Sequence, residues 1–306
     1  YNALRYFQRA LRLALLQEGE MGKKVADCYN YLGLLYDSKA DYVKAMEMYE
    51  KALSIRMNVL GEKHPYVAEL LNNIGTIYIS QGKYDDALTA FQKALSIDLE
   101  VYGTVHHKIA SILNNVGYVF SAQSDYAKAL EMYQRALNIS LEIYDDMHPS
   151  IASGYNNIGS VLAKQGDLDY ALDMYKKALK IQMKNYGETH PTVAVTYHNI
   201  GYIYSSNKDY AKAIEFYQKA LIIRREVLGD NHPEVAATYN NIGSTFSEMG
   251  DYANALLMLQ GALQIWLKNY GSNHPNVALT YDNIGYVYSL QGNYPKACPK
   301  GRLGLC

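Results

Sequence analysis

The chain has 306 residues, 49% of them apolar, and its 29 basic and 30 acidic side chains leave a formal net charge of −1. That balance removes the electrostatic basis for a nucleic-acid partner, because neutralising phosphates needs a basic surface. No apolar run approaches the roughly 18–20 residues of a membrane span, and the opening residues lack a basic-then-apolar leader pattern, so no membrane partner is expected.

A histidine recurs at His64, His106, His148, His190, His232 and His274, always 42 residues from the last. Self-similarity at such a period marks an array of one repeated unit. Residues 1–18 precede the first full copy. Their Ala3-Leu4, Phe7 and Ala10-Leu11 align with Ala87-Leu88, Phe91 and Ala94-Leu95. The chain is therefore expected to open on an orphan second helix, helix B, whose first helix is missing. Six complete hairpins follow over about 23–270.

In the clearest copy, helix A is predicted from Pro65 to Gln81. Pro suits the first helical position, where a missing N–H is no loss. Leu71, Ile74, Gly75 and Tyr78 have the spacing of one buried stripe. A break follows at Gly82-Lys83, and helix B runs from Tyr84 to Tyr102, with Ala87, Phe91 and Ala94-Leu95 on its inner stripe. Gly103 stops it. Gly75, Gly117, Gly159, Gly201, Gly243 and Gly285 fall inside helix A, where Gly costs about 1 kcal/mol against Ala. The compensation expected is close approach of the two backbones of a hairpin at Ala87 and its counterparts, so leucine at Gly159 should pry one hairpin apart. A last helix A is predicted over about 275–291, with a helix B stub from Tyr294. Cys298 and Pro299 break the pattern, so the repeats are expected to span 1–298, with 299–306 a non-repeat tail. Cys28, Cys298 and Cys306 have neither metal nor redox spacing, which suits a reducing compartment and a cytoplasmic location.

The columns Tyr239, Ile242-Gly243, Phe246, Ala255 and Ala262 resemble the tetratricopeptide repeat. The final proline of that motif is absent. Helix B is longer instead, as in the 42-residue repeats of kinesin light chain and nephrocystin. The resemblance covers nearly the whole chain. It implies an all-α, right-handed superhelical solenoid of antiparallel hairpins, with the A helices lining a concave groove.

On the groove side of helix A lies a row of Asn73, Asn115, Asn157, Asn199, Asn241 and Asn283, with Tyr31 in the first copy. Beside it run Asn72, Asn114, Asn156, His198, Asn240 and Asp282. A carboxamide both donates and accepts, so a row of them can pair with the backbone of an extended peptide whatever its side chains. In proteins similar to kinesin light chain, asparagines at these columns touch peptide ligands. The alternative is a ladder that bridges adjacent A helices and binds nothing. A third column alternates small or aliphatic residues with aromatics: Leu34, Thr76, Tyr118, Ser160, Tyr202, Ser244, Tyr286. It reads either as pockets for a ligand's apolar side chains or as a record of duplication in blocks of two repeats. Lys164 is the one basic residue expected in the groove, unlike relatives that bind acidic peptides.

The histidines are too far apart to share a metal ion and are expected to cap or pack at the start of helix A. Glu47–Lys51, Glu131–Arg135, Asp173–Lys177 and Glu215–Lys219 read as pairs on a solvated helix B face. Trp266 interrupts the column of Arg56, Asp98, Ser140, Gln182 and Arg224. It is either drift near an array end or a contact with the missing C-terminal neighbour or a second chain. Nothing suggests catalysis: no nucleophile and base, no phosphate loop, no cofactor or metal site. The reading is a non-enzymatic scaffold that binds a protein or peptide segment in the groove. Its rivals are a self-association module, acting through the solenoid ends or near Trp266, and the sensor arm of a larger multidomain protein.

Overall fold

The computed structural model describes residues 2–293. The helix B stub from Tyr294 to Cys298 and the tail 299–306 lie outside these residues. Fourteen helices and no strands are present among the described residues. They are α1 (Asn2–Glu18), α2 (Lys23–Asp37), α3 (Tyr42–Leu60), α4 (Pro65–Ser80), α5 (Tyr84–Tyr102), α6 (His107–Ala122) and α7 (Tyr126–Ile143). Then follow α8 (Pro149–Gln165), α9 (Leu168–Tyr186), α10 (Pro191–Ser206), α11 (Tyr210–Leu228), α12 (Pro233–Glu248), α13 (Tyr252–Tyr270) and α14 (Pro275–Leu290). Even-numbered helices are A helices and odd-numbered ones are B helices. The fold is an all-α helical-repeat solenoid. It divides into two compact bodies between Asp146 and Met147.

In the first body, α2/α3, α4/α5 and α6/α7 are hairpins, and α3 also packs on α4 and α5 on α6. Helix α1 packs on α2 as α3 packs on α4. Its Leu11, Ala14 and Leu15 meet Val25, Ala26 and Ile55. The second body repeats the scheme with α8/α9, α10/α11 and α12/α13, and α14 lies against α13.

The sequence ruler has a capping chemistry behind it. In α4, α6, α8, α10, α12 and α14 the preceding histidine is the N-cap, and its Nδ1 accepts the backbone N–H two residues on. These bonds are 3.2–3.3 Å long, as in His64 with Tyr66 and His190 with Thr192. That satisfies one of the N–H groups every helix start leaves unpaired. The last tyrosine of a B helix stacks on the next cap, with ring centroids 4.0 Å apart for Tyr102–His106, 4.4 Å for Tyr186–His190 and 4.3 Å for Tyr270–His274. Asp41, Asp125, Asp209 and Asp251 cap B helices by accepting the N–H three residues on. The intra-hairpin turn needs a left-handed residue. Gly82, Gly166 and Gly250 supply it in three copies, while Ala40, Ser124 and Lys208 adopt φ of 56°, 62° and 61° at the same place.

The core differs from the expected backbone-to-backbone approach in one respect. The mid-helix glycines face side chains of helix B. A Cβ at Gly75 would lie 2.5 Å from the Phe91 ring, and one at Gly33 would lie 2.5 Å from Tyr49. Tyr133, Tyr175 and Tyr217 fill the same place against Gly117, Gly159 and Gly201. At Gly243, where Leu259 replaces the ring, a facing backbone atom is among the nearest, with Ala255 O at 3.1 Å. An aromatic ring is thick, and removing one methyl lets it lie flat on the opposite helix.

Candidate functional site

The asparagine rows sit on the A helices, half-buried. The structure brings the two rows together between successive helices. In the first body Asn73 Nδ2 donates to Asn30 Oδ1 (3.2 Å), and Asn115 Nδ2 donates to Asn72 Oδ1 (2.9 Å). In the second body Asn283 Nδ2 donates to Asn240 Oδ1 (3.1 Å), and Asn241 Nδ2 lies 3.0 Å from His198 Nε2. Each bond joins a residue of the first row to the second-row residue of the preceding A helix. A carboxamide has two N–H groups and two lone pairs on its oxygen. One bond each therefore leaves capacity on both partners. Asn114 and Asn157 are half-buried and engaged as well.

Asn199 departs from this scheme. Its counterpart Asn156 is turned away and donates to the Thr196 hydroxyl (3.1 Å), which lies 2.8 Å from Gln182 Oε1. The Asn199 side chain has no hydrogen bond among the described residues. The third column stands clear of the rows: Tyr118, Tyr202 and Tyr286 are 54%, 50% and 52% exposed.

A further column comes up from helix B into the gap between adjacent A helices. Arg56, Asp98, Gln182, Arg224 and Trp266 are all buried there. Arg56 pairs with Asp27 and lies over the Tyr66 ring, 4.4 Å from its centroid. Arg224 Nη1 is 2.6 Å from Thr238 Oγ1 and 3.1 Å from His198 Nδ1. Its Nε forms an ion pair with Glu234 at 3.2 Å, without the alignment of a hydrogen bond. Burial and the Arg224 charge push the His198 pKa down to about 3. Burial raises the pKa of Asp98, whose Oδ1 has no hydrogen-bond partner among the described residues. A signal for this column was present in the sequence: Thr196, Thr238 and Thr280 lie fourteen residues after Gln182, Arg224 and Trp266.

Trp266 corrects one expectation. It is 6% exposed, packed with Val235, Ala262 and Val277, and stacked on Tyr270 and His274. Its own chain covers it, so it offers no surface to a second copy. The pairs on the helix B face are formed, with Lys51–Glu47, Lys177–Asp173 and Lys219–Glu215 at 2.6–2.7 Å and Arg135–Glu131 at 3.9 Å. All are solvent-exposed, and each contributes a few tenths of a kcal/mol at most. Among the described residues no helix is long and apolar enough to cross a membrane, and no group of three or more His, Cys, Asp or Glu could hold a metal.

The repeat geometry has counterparts among known proteins. Residues 1–58, 41–100, 66–142, 150–221, 192–260 and 249–297 match the tetratricopeptide repeat. The chain belongs to the tetratricopeptide repeat family. No curated protein matches it. Among solved structures, BtubC (BKLC) from P. vanneervenii is 21% identical with a TM-score of 0.61, covering 73% of this chain and 96% of its own. The apo form of RapI is 18% identical with a TM-score of 0.69, covering 89% and 93%. A putative kinesin light chain from Podosopora anserina, with nearly identical repeats, is 17% identical with a TM-score of 0.57, covering 68% and 98%. At such identities the likeness is one of fold. Tetratricopeptide arrays as a class mediate protein–protein interaction and are generally non-catalytic.

Proposed function

We propose that this tetratricopeptide protein is a scaffold that holds an extended segment of a partner protein along the face lined by its A helices. The observation that carries this reading is the double row of half-buried carboxamides, beside tyrosines that are half exposed. The amide ladder positions each side chain and leaves it groups for a peptide backbone. Tyrosine then supplies rigid contact area at low entropic cost, as it does at many protein interfaces. Support by the ladder and contact with a ligand are compatible roles for the same amides.

Asn199 separates the two roles, because its amide holds no other helix. Asn199→Ala should leave the melting temperature unchanged and weaken binding to short peptides on an array about tenfold. That figure corresponds to one or two hydrogen bonds of about 1 kcal/mol each. Asn115→Ala should lower both stability and binding, since it also breaks the bond to Asn72. Equal peptide binding by wild type and Asn199→Ala would remove the assignment.

A further inference from the structure

Between α2 and α4, with α3 beneath, lies a cavity of about 310 Å³. Arg56 lines it, and so do Asp27, Tyr31, Leu34, Tyr66 and Glu69. The Arg56 side chain is 8% exposed, whereas the carboxylate side chains of Asp27 and Glu69 are 48% and 42% exposed. A ligand entering from solvent therefore meets two acids before it meets the arginine. Tyr31 stacks on Phe7, with centroids 5.5 Å apart, and remains half exposed.

The second body contains an internal control. Four repeats on, Arg224 occupies the position of Arg56, and Val195 and Ala237 stand where Asp27 and Glu69 stand. Arg224 is satisfied there by Thr238, His198 and Glu234. A buried arginine at this position thus requires neither of the two rim acids. In the first body Asp27 alone pairs with Arg56. Glu69 takes no part in that pair and forms a long ion pair with Lys108 at 3.8 Å. In each pair the acid is the more exposed member, Asp27 at 48% against 8% for Arg56 and Glu69 at 42% against 27% for Lys108, so the carboxylates stand outermost at the rim.

We propose that this cavity takes a basic side chain, arginine or lysine, of the bound peptide. The inference rests on the peptide-binding reading above and names a ligand class for one part of that face. The aliphatic stem would lie against Tyr31 and Leu34, and the cationic head would lie between Asp27 and Glu69. A cation near the Tyr31 ring gains attraction from the ring's quadrupole. A ligand carboxylate is disfavoured, because it would have to displace Asp27 from a buried guanidinium.

The test uses the full chain and arrays of short random peptides in which one position is held as Arg, Lys, Gln or Glu. Wild type should retain the Arg and Lys sets about tenfold better than the Gln set. Glu69→Gln should cut that preference to about twofold while holding the Gln set as wild type does. Leu34→Lys places the chain's own ammonium group in the cavity and should have the same effect. Both positions are partly exposed, so both variants should match wild type in urea denaturation. Peptide binding without a basic preference, or a preference that survives Glu69→Gln, would overturn the subsite and leave the peptide-binding face standing. Preferential retention of the Glu set would overturn it in favour of Arg56 as an anion site. Failure to hold any peptide set would overturn the peptide-binding reading itself, and the subsite with it.

Discussion

His198 occupies a column that is Asn72, Asn114, Asn156 and Asn240 in other repeats, and the difference has a pH signature. Its Nε2 meets Asn241, its Nδ1 meets the Arg224 guanidinium, and the ring is held neutral with a pKa of about 3. The titratable neighbours are Arg224 and, through it, Glu234. In the unfolded chain the imidazole titrates near 6.5. Between these values the unfolded state binds a proton that the native state does not, so stability falls as pH falls through that window. At pH 5 the deficit is about 2 kcal/mol, from about 1.4 kcal/mol per pH unit below 6.5. His198→Asn restores the usual residue of the column and removes this group. Urea denaturation at pH 7.5 and pH 5 should show wild type losing about 2 kcal/mol more than the variant between the two. Equal losses would mean that His198 is protonated in the native state.

At the level of one hairpin, a glycine paired with a ring inverts the usual effect of alanine in a helix. Gly→Ala in a helix interior normally gains about 1 kcal/mol. A Cβ at Gly75 would meet three carbons of Phe91 at 2.5–2.8 Å, and that ring is fully buried with nowhere to go. Overpacking of this kind costs about 1–3 kcal/mol, so Gly75→Ala should be net destabilising by thermal denaturation. At Gly159 the Tyr175 ring is 3.0–3.2 Å from the same added atom. A shift of a few tenths of an ångström relieves that contact, so Gly159→Ala should stay within about 1 kcal/mol of wild type. Two equally stabilised variants would show that the rings do not press on the glycines. The column of glycines was legible in the sequence, because a residue disfavoured in helices recurs at a fixed interval. The nature of the opposing contact was not. Helical spacing places Ala87 and Phe91 on the same inner stripe, and only the packed pair shows that the ring, not the alanine, lies on Gly75.

At the level of the molecule, the hairpins and their boundaries were readable because capping and helix termination are local. His64, Pro65, Gly82 and Gly103 act on residues within one turn of themselves, and α4 and α5 begin and end within a residue of the positions they mark. The burial of Arg56, Asp98, Gln182 and Arg224 was not readable from their own helices, because it comes from the next repeat. Gln182 reaches Thr196 and Arg224 reaches Thr238 across the loop into the following A helix, and no periodicity within α9 or α11 announces it. The same neighbour-only packing predicts how damage spreads. Helices of each body pack on their hairpin partners and on the adjoining hairpin, so stability is close to a sum of repeat and nearest-neighbour contributions. A lesion at Gly75 weakens α4 against α5 directly, and weakens α3 and α6 through the packing they share with that hairpin. Hydrogen exchange of Gly75→Ala should therefore quicken in α3 to α6 and stay at wild-type rates in α10 to α13. Faster exchange throughout α10 to α13 would mean that the chain opens as one cooperative unit, and that free energy is not stored repeat by repeat.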